Sequence, residues 1–198
     1  APSLVGSEMC IRDSPLGDGL NHGNAPISTA TIPPLEILEA AYPIKFIEWS
    51  LRQDSGGVGE NRGGLGAVYE IELLEEEAKA FIFGERSKFA PPGVVGGGDG
   101  ALNKFSYEHQ NEFKSPPLAS KMVNISLSKG QAVRLETPGG GGYGKAYKRK
   151  IDSVLNDVKL EYISSALASS RYGVVINDEG EVDEGKTFAS RKKIRQTR

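Results

Sequence analysis

The stretch Asp54-Ser-Gly-Gly-Val-Gly-Glu-Asn-Arg-Gly-Gly64 constrains the fold most, because it places five glycines in eleven residues. Clustered glycines between apolar runs indicate tight turns or close backbone approach. In one interpretation, backbone amides point into a concave surface and Arg62 offers a planar fork to a carboxylate or phosphate. In the other, the stretch is a long hairpin in which Arg62 pairs with Asp54. Chemistry alone favours the hairpin, because a glycine loop without further context is weak evidence for a site.

A second glycine-rich stretch, Pro138-Gly-Gly-Gly-Gly-Tyr-Gly144, superficially matches a phosphate-binding loop, since Lys145 completes the pattern G-x-x-x-x-G-K. Such a loop needs Ser or Thr next to hold magnesium, and the chain has Ala146 there. The residues that follow also lack the pattern of an amphipathic helix. We therefore interpret the stretch as backbone packed tightly against a neighbour or ligand, with Tyr143 as its anchor.

The composition excludes several classes of protein. The 198 residues are 38% hydrophobic and 25% charged, with a formal net charge of −2. This balance gives no basic stripe for nucleic acid, and no apolar run is long enough to span a membrane. The single cysteine, Cys10, excludes an internal disulfide framework and a thiolate metal cluster, and favours a cytoplasmic location.

No familiar catalytic or metal-binding pattern stands out. His22 and His109 are isolated from each other and from carboxylates at ligand spacing, so we predict no metal site in this chain. There is no nucleophile elbow or Ser-His-Asp order. The run Glu75–Glu77 is most simply a charged turn, because acid-base catalysis would require one carboxylate to be partly buried.

Local patterns predict an α+β fold, mainly antiparallel β, with glycine-rich loops and a short helical hairpin near the C-terminus. The predicted strands are 44–52, 67–74, 78–84, 104–113, 123–127, 132–137 and 173–176. The short connection at 75–77 predicts that its two flanking strands form a hairpin. The predicted helices are 34–42, 151–158 and a short one that Ser164 or Ser165 caps and that runs through Ala168.

Residues 1–14 do not connect to this pattern. They resemble translated sequencing-adapter read-through, so we exclude them from the fold and expect the native protein to extend upstream of Pro15. A native, disordered N-terminus is the alternative. We predict that residues 15–185 form the C-terminal part of one domain. Residues 186–198 are predicted to be a charged tail that is solvated and frayed.

Several segments together resemble the C-terminal third of hydantoinase B/5-oxoprolinase subunits. The match covers about residues 17–185. The most specific motifs are D-S-G-G-x-G-x-x-R-G-G-L-G from Asp54 and T-P-G-G-G-G-Y-G from Thr137. Supporting motifs are Pro34–Pro43, Glu85-Arg86 with the proline- and glycine-rich residues after it, Ser120-Lys121 and Tyr172-Gly-Val-Val175.

The resemblance implies a cytoplasmic, hetero-oligomeric enzyme that opens a cyclic amide or imide ring of the hydantoin or 5-oxoproline type. An A-type partner subunit would use ATP to phosphorylate the carbonyl oxygen of the small cyclic substrate, and the B-type part would complete the opening. The complete enzyme would use ATP and a divalent metal, but we expect neither to be bound by this part of it. A related ATP-dependent ketone carboxylase subunit and a non-catalytic assembly domain remain alternatives.

The resemblance supplies no catalytic residue, because the family's metal and acid-base residues belong to an upstream portion. We expect instead that the two glycine stretches shape the active site or the subunit interface. The residues chosen for this role are Asp54, Gly56, Gly57, Arg62, Gly63, Gly64, Gly139, Gly140, Gly141, Gly142 and Tyr143.

Overall fold

The structure, a computed structural model, describes residues 15–23 and 33–196. The proposed read-through and Cys10 lie outside the described residues. The regular elements, in chain order, are α1 Leu35–Ala41, β1 Ile44–Leu51, β2 Ala67–Leu73, β3 Glu77–Phe83, β4 Lys104–His109, β5 Glu112–Lys114, β6 Lys121–Ser128, β7 Ala132–Glu136, α2 Ile151–Lys159, α3 Ser165–Leu167 and α4 Glu184–Gln196. The prediction of an α+β fold with mainly antiparallel strands is confirmed.

Five strands form an antiparallel sheet in the order β1-β2-β7-β4-β5. The register places Ile71 opposite Val133, and Leu135 opposite both Tyr69 and Phe105. Successive side chains of a strand point to opposite faces, so these apolar residues share one face. The sheet therefore has one face that must be covered.

A second antiparallel sheet, made of β3 and β6, covers that face. Its inward residues Ile125 and Leu127 are buried together with Leu73 and Phe105 of the larger sheet. The alternation along β3 is regular, with Ala78, Ala80 and Ile82 packed against this core. The β part of the chain is thus a two-layer structure with its own hydrophobic core.

The predicted hairpin between the strands that flank residues 75–77 is wrong. β2 is a central strand whose two edges are taken by β1 and β7, so β3 has no free edge of β2 to join. β3 crosses instead to the second layer and pairs with β6. Because local patterns do not reveal which edges distant strands occupy, the short connection was misleading.

The predicted strand 104–113 is also two strands rather than one. β4 and β5 form a hairpin in which His109 lies opposite Glu112. The two residues of the turn, Gln110 and Asn111, have φ values of 55° and 63°. Positive φ at both central positions is the geometry of a tight hairpin turn. Gln-Asn lacks the glycine that usually marks such a turn.

The polar face of the larger sheet carries a ladder of charges. Arg134 on β7 contacts Glu70 at 2.6 Å and Glu48 at 2.8 Å, and Glu136 at 3.8 Å. The Arg134 side chain is 30% exposed. Ion pairs open to solvent in this way typically contribute about 1 kcal/mol or less.

The helical part follows the predicted periodicity. Val154 of α2 is fully buried with Ile163, Ala168 and Tyr172 in a second hydrophobic core. The predicted cap is confirmed, because the Ser164 hydroxyl accepts a hydrogen bond from the Leu167 amide at 3.1 Å. No helix in the described ranges is both long and apolar enough to cross a membrane.

Two expectations for the last residues are wrong. Residues 173–176 form no strand; Ile176 makes only an isolated bridge to Val182. The segment expected to be a frayed tail contains α4, which begins at Glu184. The helix is fixed to the chain before it, because the buried Thr187 hydroxyl accepts a hydrogen bond from the Val175 amide at 3.0 Å.

Candidate functional site

Three glycine-rich segments, residues 55–66, 91–100 and 137–144, lie side by side and form what we name the glycine layer. Backbone hydrogen bonds connect all three. The amide of Gly57 donates to the carbonyl of Gly140 at 2.8 Å, that of Gly142 to Gly98 at 2.9 Å, and that of Gly98 to Val58 at 2.7 Å. The two stretches singled out in the sequence are therefore parts of one unit.

Glycine is required in this layer because backbone passes directly against backbone. A Cβ built on Gly139 would lie 1.8 Å from the Ser55 carbonyl oxygen, and one on Gly63 would lie 2.2 Å from that of Gly140. Such distances leave no room for any side chain. All the predicted glycines are buried in this layer: Gly56, Gly57, Gly63, Gly64, Gly139, Gly140, Gly141 and Gly142.

Three glycine amides of the second stretch are occupied by the chain itself. Those of Gly140, Gly142 and Gly144 donate to backbone carbonyls at 2.9–3.0 Å. They are therefore not free to cradle a phosphate. The backbone of Tyr143 exchanges two hydrogen bonds with Asn61, at 3.0 and 3.1 Å.

Arg62 does not pair with Asp54, so the hairpin interpretation of the first stretch is wrong. The Arg62 side chain is buried, and its guanidinium donates to the Gly63 carbonyl at 2.7 Å and to Asn21 Oδ1 at 3.1 Å. Its Nε lies 3.6 Å from Asp157 Oδ1, an ion pair too long for a hydrogen bond. The nearest carboxylate to the Arg62 guanidinium therefore belongs to the same chain, and no carboxylate among the described residues accepts a hydrogen bond from it.

Asp54 has a separate role at the edge of the layer. Its backbone is left-handed, with φ of 59°, and its carboxylate accepts a hydrogen bond from the Ser164 amide at 2.7 Å. Its own amide donates to the Tyr162 carbonyl at 3.1 Å. Asp54 therefore ties the glycine layer to the turn between α2 and α3.

Arg62 belongs to a group of four charged residues that we name the ion cluster: Asp18, Arg62, Arg149 and Asp157. Arg149 lies at its centre and donates two parallel hydrogen bonds, of 2.5 and 2.6 Å, to the Asp18 carboxylate. Its Nε and Nη2 donate to Asp157 Oδ2 at 3.1 and 2.8 Å. The cluster joins the segment 15–23, the glycine layer and α2 through charge-assisted hydrogen bonds, which are stronger than neutral ones.

The charges of the cluster support one another against the cost of burial. Burial alone lowers the pKa of Arg149, but the hydrogen bond to Asp18 and the charges of both carboxylates raise it above its ordinary value. Burial also raises the pKa of Asp157, despite the two guanidinium groups that lower it. Tyr172 packs beside them, and burial raises its pKa to about 12. Arg149 is therefore a permanent cation that holds two carboxylates.

Acid should loosen this cluster through Asp18. Burial raises the pKa of this carboxyl, but Arg149 outweighs burial and leaves the pKa below its ordinary value of 3.8. A lowered folded-state pKa contributes stability above the unfolded value, and this stability is lost as pH falls through the folded value. We expect the free energy of unfolding to fall more gently below about pH 4 in Asp18→Asn than in the unaltered chain. Urea titrations at a series of pH values measure this, and equal slopes would contradict it.

Sequence reasoning missed Arg149, Asp157 and Asp18. Asp157 carried a signal, because it follows Val154 by three positions and so lies on the apolar stripe of α2. An acid on such a stripe needs a buried partner. Arg149 carried none, since it sits in the basic run Tyr147–Lys150.

The two histidines lie apart. His109 is exposed at the end of β4. His22 packs edge-on against Tyr69, with ring centroids 5.6 Å apart, and is hydrogen-bonded to its hydroxyl. Within residues 15–23 and 33–196, no three His, Cys, Asp or Glu side chains come together in a way that could hold a metal ion.

Residues 13–146 match the protein family described as hydantoinase B/oxoprolinase. An uncharacterized protein of Methanocaldococcus jannaschii is 41% identical over 82% of this chain. The caprolactamase β subunit of Pseudomonas jessenii is 34% identical over 79% of it. The chain covers only 28% and 27% of these relatives' lengths.

Two solved structures share the fold. The ATP-dependent caprolactamase from Pseudomonas jessenii superposes with a TM-score of 0.67 at 32% identity, over 80% of this chain and 28% of that one. A nucleotide-free acetone carboxylase superposes with a TM-score of 0.80 at 23% identity, over 96% of this chain and 30% of that one. At this identity the second likeness concerns the fold alone. Because the family match covers more than half of its length, the chain belongs to the hydantoinase B/oxoprolinase family.

Proposed function

We propose that the chain works as part of the B-type subunit of an ATP-dependent amidohydrolase, which opens a cyclic amide or imide ring of the hydantoin or 5-oxoproline type. The observation that carries the proposal is its 34% identity to the β subunit of a caprolactamase over most of its length. Caprolactamase is named for a cyclic amide, and the solved structure is that of an ATP-dependent caprolactamase. The chain is less than a third of that protein, so the activity belongs to a larger assembly.

A ketone carboxylase subunit is the second candidate. Acetone carboxylase superposes more closely, with a TM-score of 0.80 against 0.67 for caprolactamase. Its sequence identity to this chain is lower, however, at 23% against 32% for caprolactamase. The chemistry of a site depends on its side chains rather than on the path of the backbone. The amidohydrolase is therefore the better supported of the two.

The proposed reaction needs ATP because an amide carbon is a poor electrophile. Transfer of a phosphoryl group to the carbonyl oxygen, with loss of the ring N–H proton, gives ADP and an imidate phosphate. Water then adds to the carbon. Cleavage of the C–N bond, with protonation of nitrogen, opens the ring to an acyl phosphate, which a second water hydrolyses to carboxylate and phosphate.

Within this scheme the glycine layer is the rigid element that positions catalytic groups carried elsewhere in the assembly. The layer suits that task because backbone contacts fix it from three segments, and the ion cluster fixes it from outside. Asp54, Arg62 and Tyr143 lie in or beside it, where they would shape the active site or the subunit interface. Rigid support of this kind keeps reacting groups within the small tolerances that catalysis requires.

The proposal includes a partner, a metal and a location. The caprolactamase relative is named as a β subunit, which supports pairing with an A-type subunit that binds ATP. A divalent metal is expected in the complete enzyme, but the described residues offer no ligand set for it, so we assign it no ligand or step here. A cytoplasmic location follows from the proposed use of ATP.

The reaction is tested on the B-type subunit that contains this chain, purified together with its A-type partner. Caprolactam, hydantoin and 5-oxoproline are supplied with ATP, and ADP and the ring-opened acid are measured. We expect both products in equal amounts with at least one substrate. Incorporation of labelled bicarbonate into acetone, without ring opening, would replace the proposal with the carboxylase alternative.

Arg62 separates a site role from a purely assembling one. We expect Arg62→Ala to lower turnover by at least about tenfold while the subunits still co-purify, because small displacements of positioned groups are costly. Arg134→Ala, which removes an arginine from the solvated face of the sheet, is the control. Loss of co-purification alone would favour an assembly domain. Unchanged turnover and assembly would show that the Arg62 region has no part in function.

A further inference from the structure

A second surface, formed by residues outside the glycine layer, has the features of a ligand site. The segments 84–89 and 117–121, where β3 ends and β6 begins, enclose an open pocket of about 700 Å³. Its walls include the apolar side chains of Phe89 and Leu118, each 71% exposed. A pocket of this volume falls in the range that small organic ligands occupy.

Two residues with strained backbone lie at the pocket. Arg86 and Ser120 have φ values of 62° and 59°, a left-handed conformation that non-glycine residues seldom adopt. Neighbouring contacts enforce it. The Gly84 amide donates to the Ser120 carbonyl at 2.7 Å, and the Asn103 amide donates to the Arg86 carbonyl at 2.9 Å. Strain that surrounding structure enforces in this way tends to occur at ligand sites.

Of the cations that line the pocket, Arg86 and Lys88 have no carboxylate partner among the described residues, and only Arg86 presents a planar fork. Lys121 is bound to Glu85 at 2.8 Å and lies over the Phe83 ring. Lys88 lies 5.7 Å from the centre of the Phe89 ring. The half-buried Arg86 guanidinium makes no hydrogen bond or ion pair with any residue that the structure describes, and its effect on Glu85 is only a weak electrostatic one.

We propose that this pocket binds a small carboxylate with an apolar body, the carboxylate held by the Arg86 fork and the body by Phe89 and Leu118. A guanidinium presents parallel N–H groups that match the two oxygens of a planar carboxylate. The apolar walls add a favourable contact only for a ligand with hydrocarbon next to its charge. The inference stands apart from the proposed function, because none of these residues belongs to the glycine layer or the ion cluster.

Hexanoate is the probe, titrated by calorimetry into the B-type subunit that contains this chain, with circular dichroism to verify the fold of each variant. The informative change is Arg86→Gly, because glycine accepts the left-handed backbone and removes only the side chain. We expect this variant to bind hexanoate at least about tenfold more weakly. Arg86→Lys should weaken binding by less, since it keeps the charge and loses the fork. Lys159→Gln, on α2, removes one positive charge outside the pocket and should change affinity by less than about threefold.

Three kinds of result would overturn the proposal. The first is that the unaltered protein does not bind hexanoate at millimolar concentration, or that the Arg86→Gly variant binds it as tightly as the unaltered protein does. The second is hexanol binding as tightly as hexanoate, which would leave an apolar pocket without anion recognition. The third is inorganic phosphate binding better than hexanoate, which would identify a phosphate site instead.

Discussion

Gly139→Ala is expected to destabilise the chain by about 3 kcal/mol or more, at the upper end of what overpacking costs. The new Cβ would lie 1.8 Å from the Ser55 carbonyl oxygen and 2.9 Å from the Gly56 nitrogen. Both are backbone atoms, so no side-chain rotation can relieve the overlap. The segments 55–66 and 137–144 would have to separate and lose their mutual hydrogen bonds.

Urea unfolding followed by circular dichroism measures this change in stability. Gly17→Ala is the matched control, because nothing lies within 4 Å of a Cβ built at Gly17. The control should alter the free energy of unfolding by less than about 0.5 kcal/mol. If Gly139→Ala lost no more than about 1 kcal/mol, the close packing of the glycine layer would be refuted.

Arg149→Ala is expected to cost about 3–5 kcal/mol for a different reason. The substitution removes the cation that is hydrogen-bonded to Asp18 and Asp157. Asp157 stays buried, with only the longer 3.6 Å contact to Arg62 to offset its charge. A buried charge without a close partner is far more destabilising than the absence of the whole pair.

Arg134→Ala provides the comparison for Arg149→Ala. Arg134 also contacts several carboxylates, but on the solvated face of the sheet, with 30% of its side chain exposed against 5% for Arg149. Its loss should therefore cost about 1 kcal/mol or less in the same urea titration. Equal losses in the two variants would mean that the ion cluster is no more than a surface network.

The sequence predicts those parts of the fold that local patterns decide. The helix of residues 151–158 has apolar residues at helical spacing, and β7 alternates with period two, so both were placed within two residues of their ends. Pairing between strands was not predictable in the same way. β3 leaves β2 because β7 comes from much later in the chain to occupy the second edge of β2.

The candidate site shows the same division between local and distant information. The number of glycines indicated close backbone approach, and the structure has it. Which segments approach each other was not indicated, since glycine has no side chain to select a partner. The predicted pairing of Arg62 with Asp54 was wrong for a related reason. Asp54 is the near carboxylate in sequence, whereas Asp157 is the one that folding brings beside Arg62.

The glycine layer also has a consequence for how fast the chain can fold. Its hydrogen bonds join residues such as Gly57, Gly98 and Gly140, which lie far apart along the chain, and each bond closes a long loop. Closing such loops costs conformational entropy before the hydrogen bond forms to offset that cost. Glycine also loses more backbone freedom on folding than other residues do. Chains dominated by distant pairings fold slowly. We therefore expect the layer to form late in folding, with its backbone amides and carbonyls bonded to water until it does.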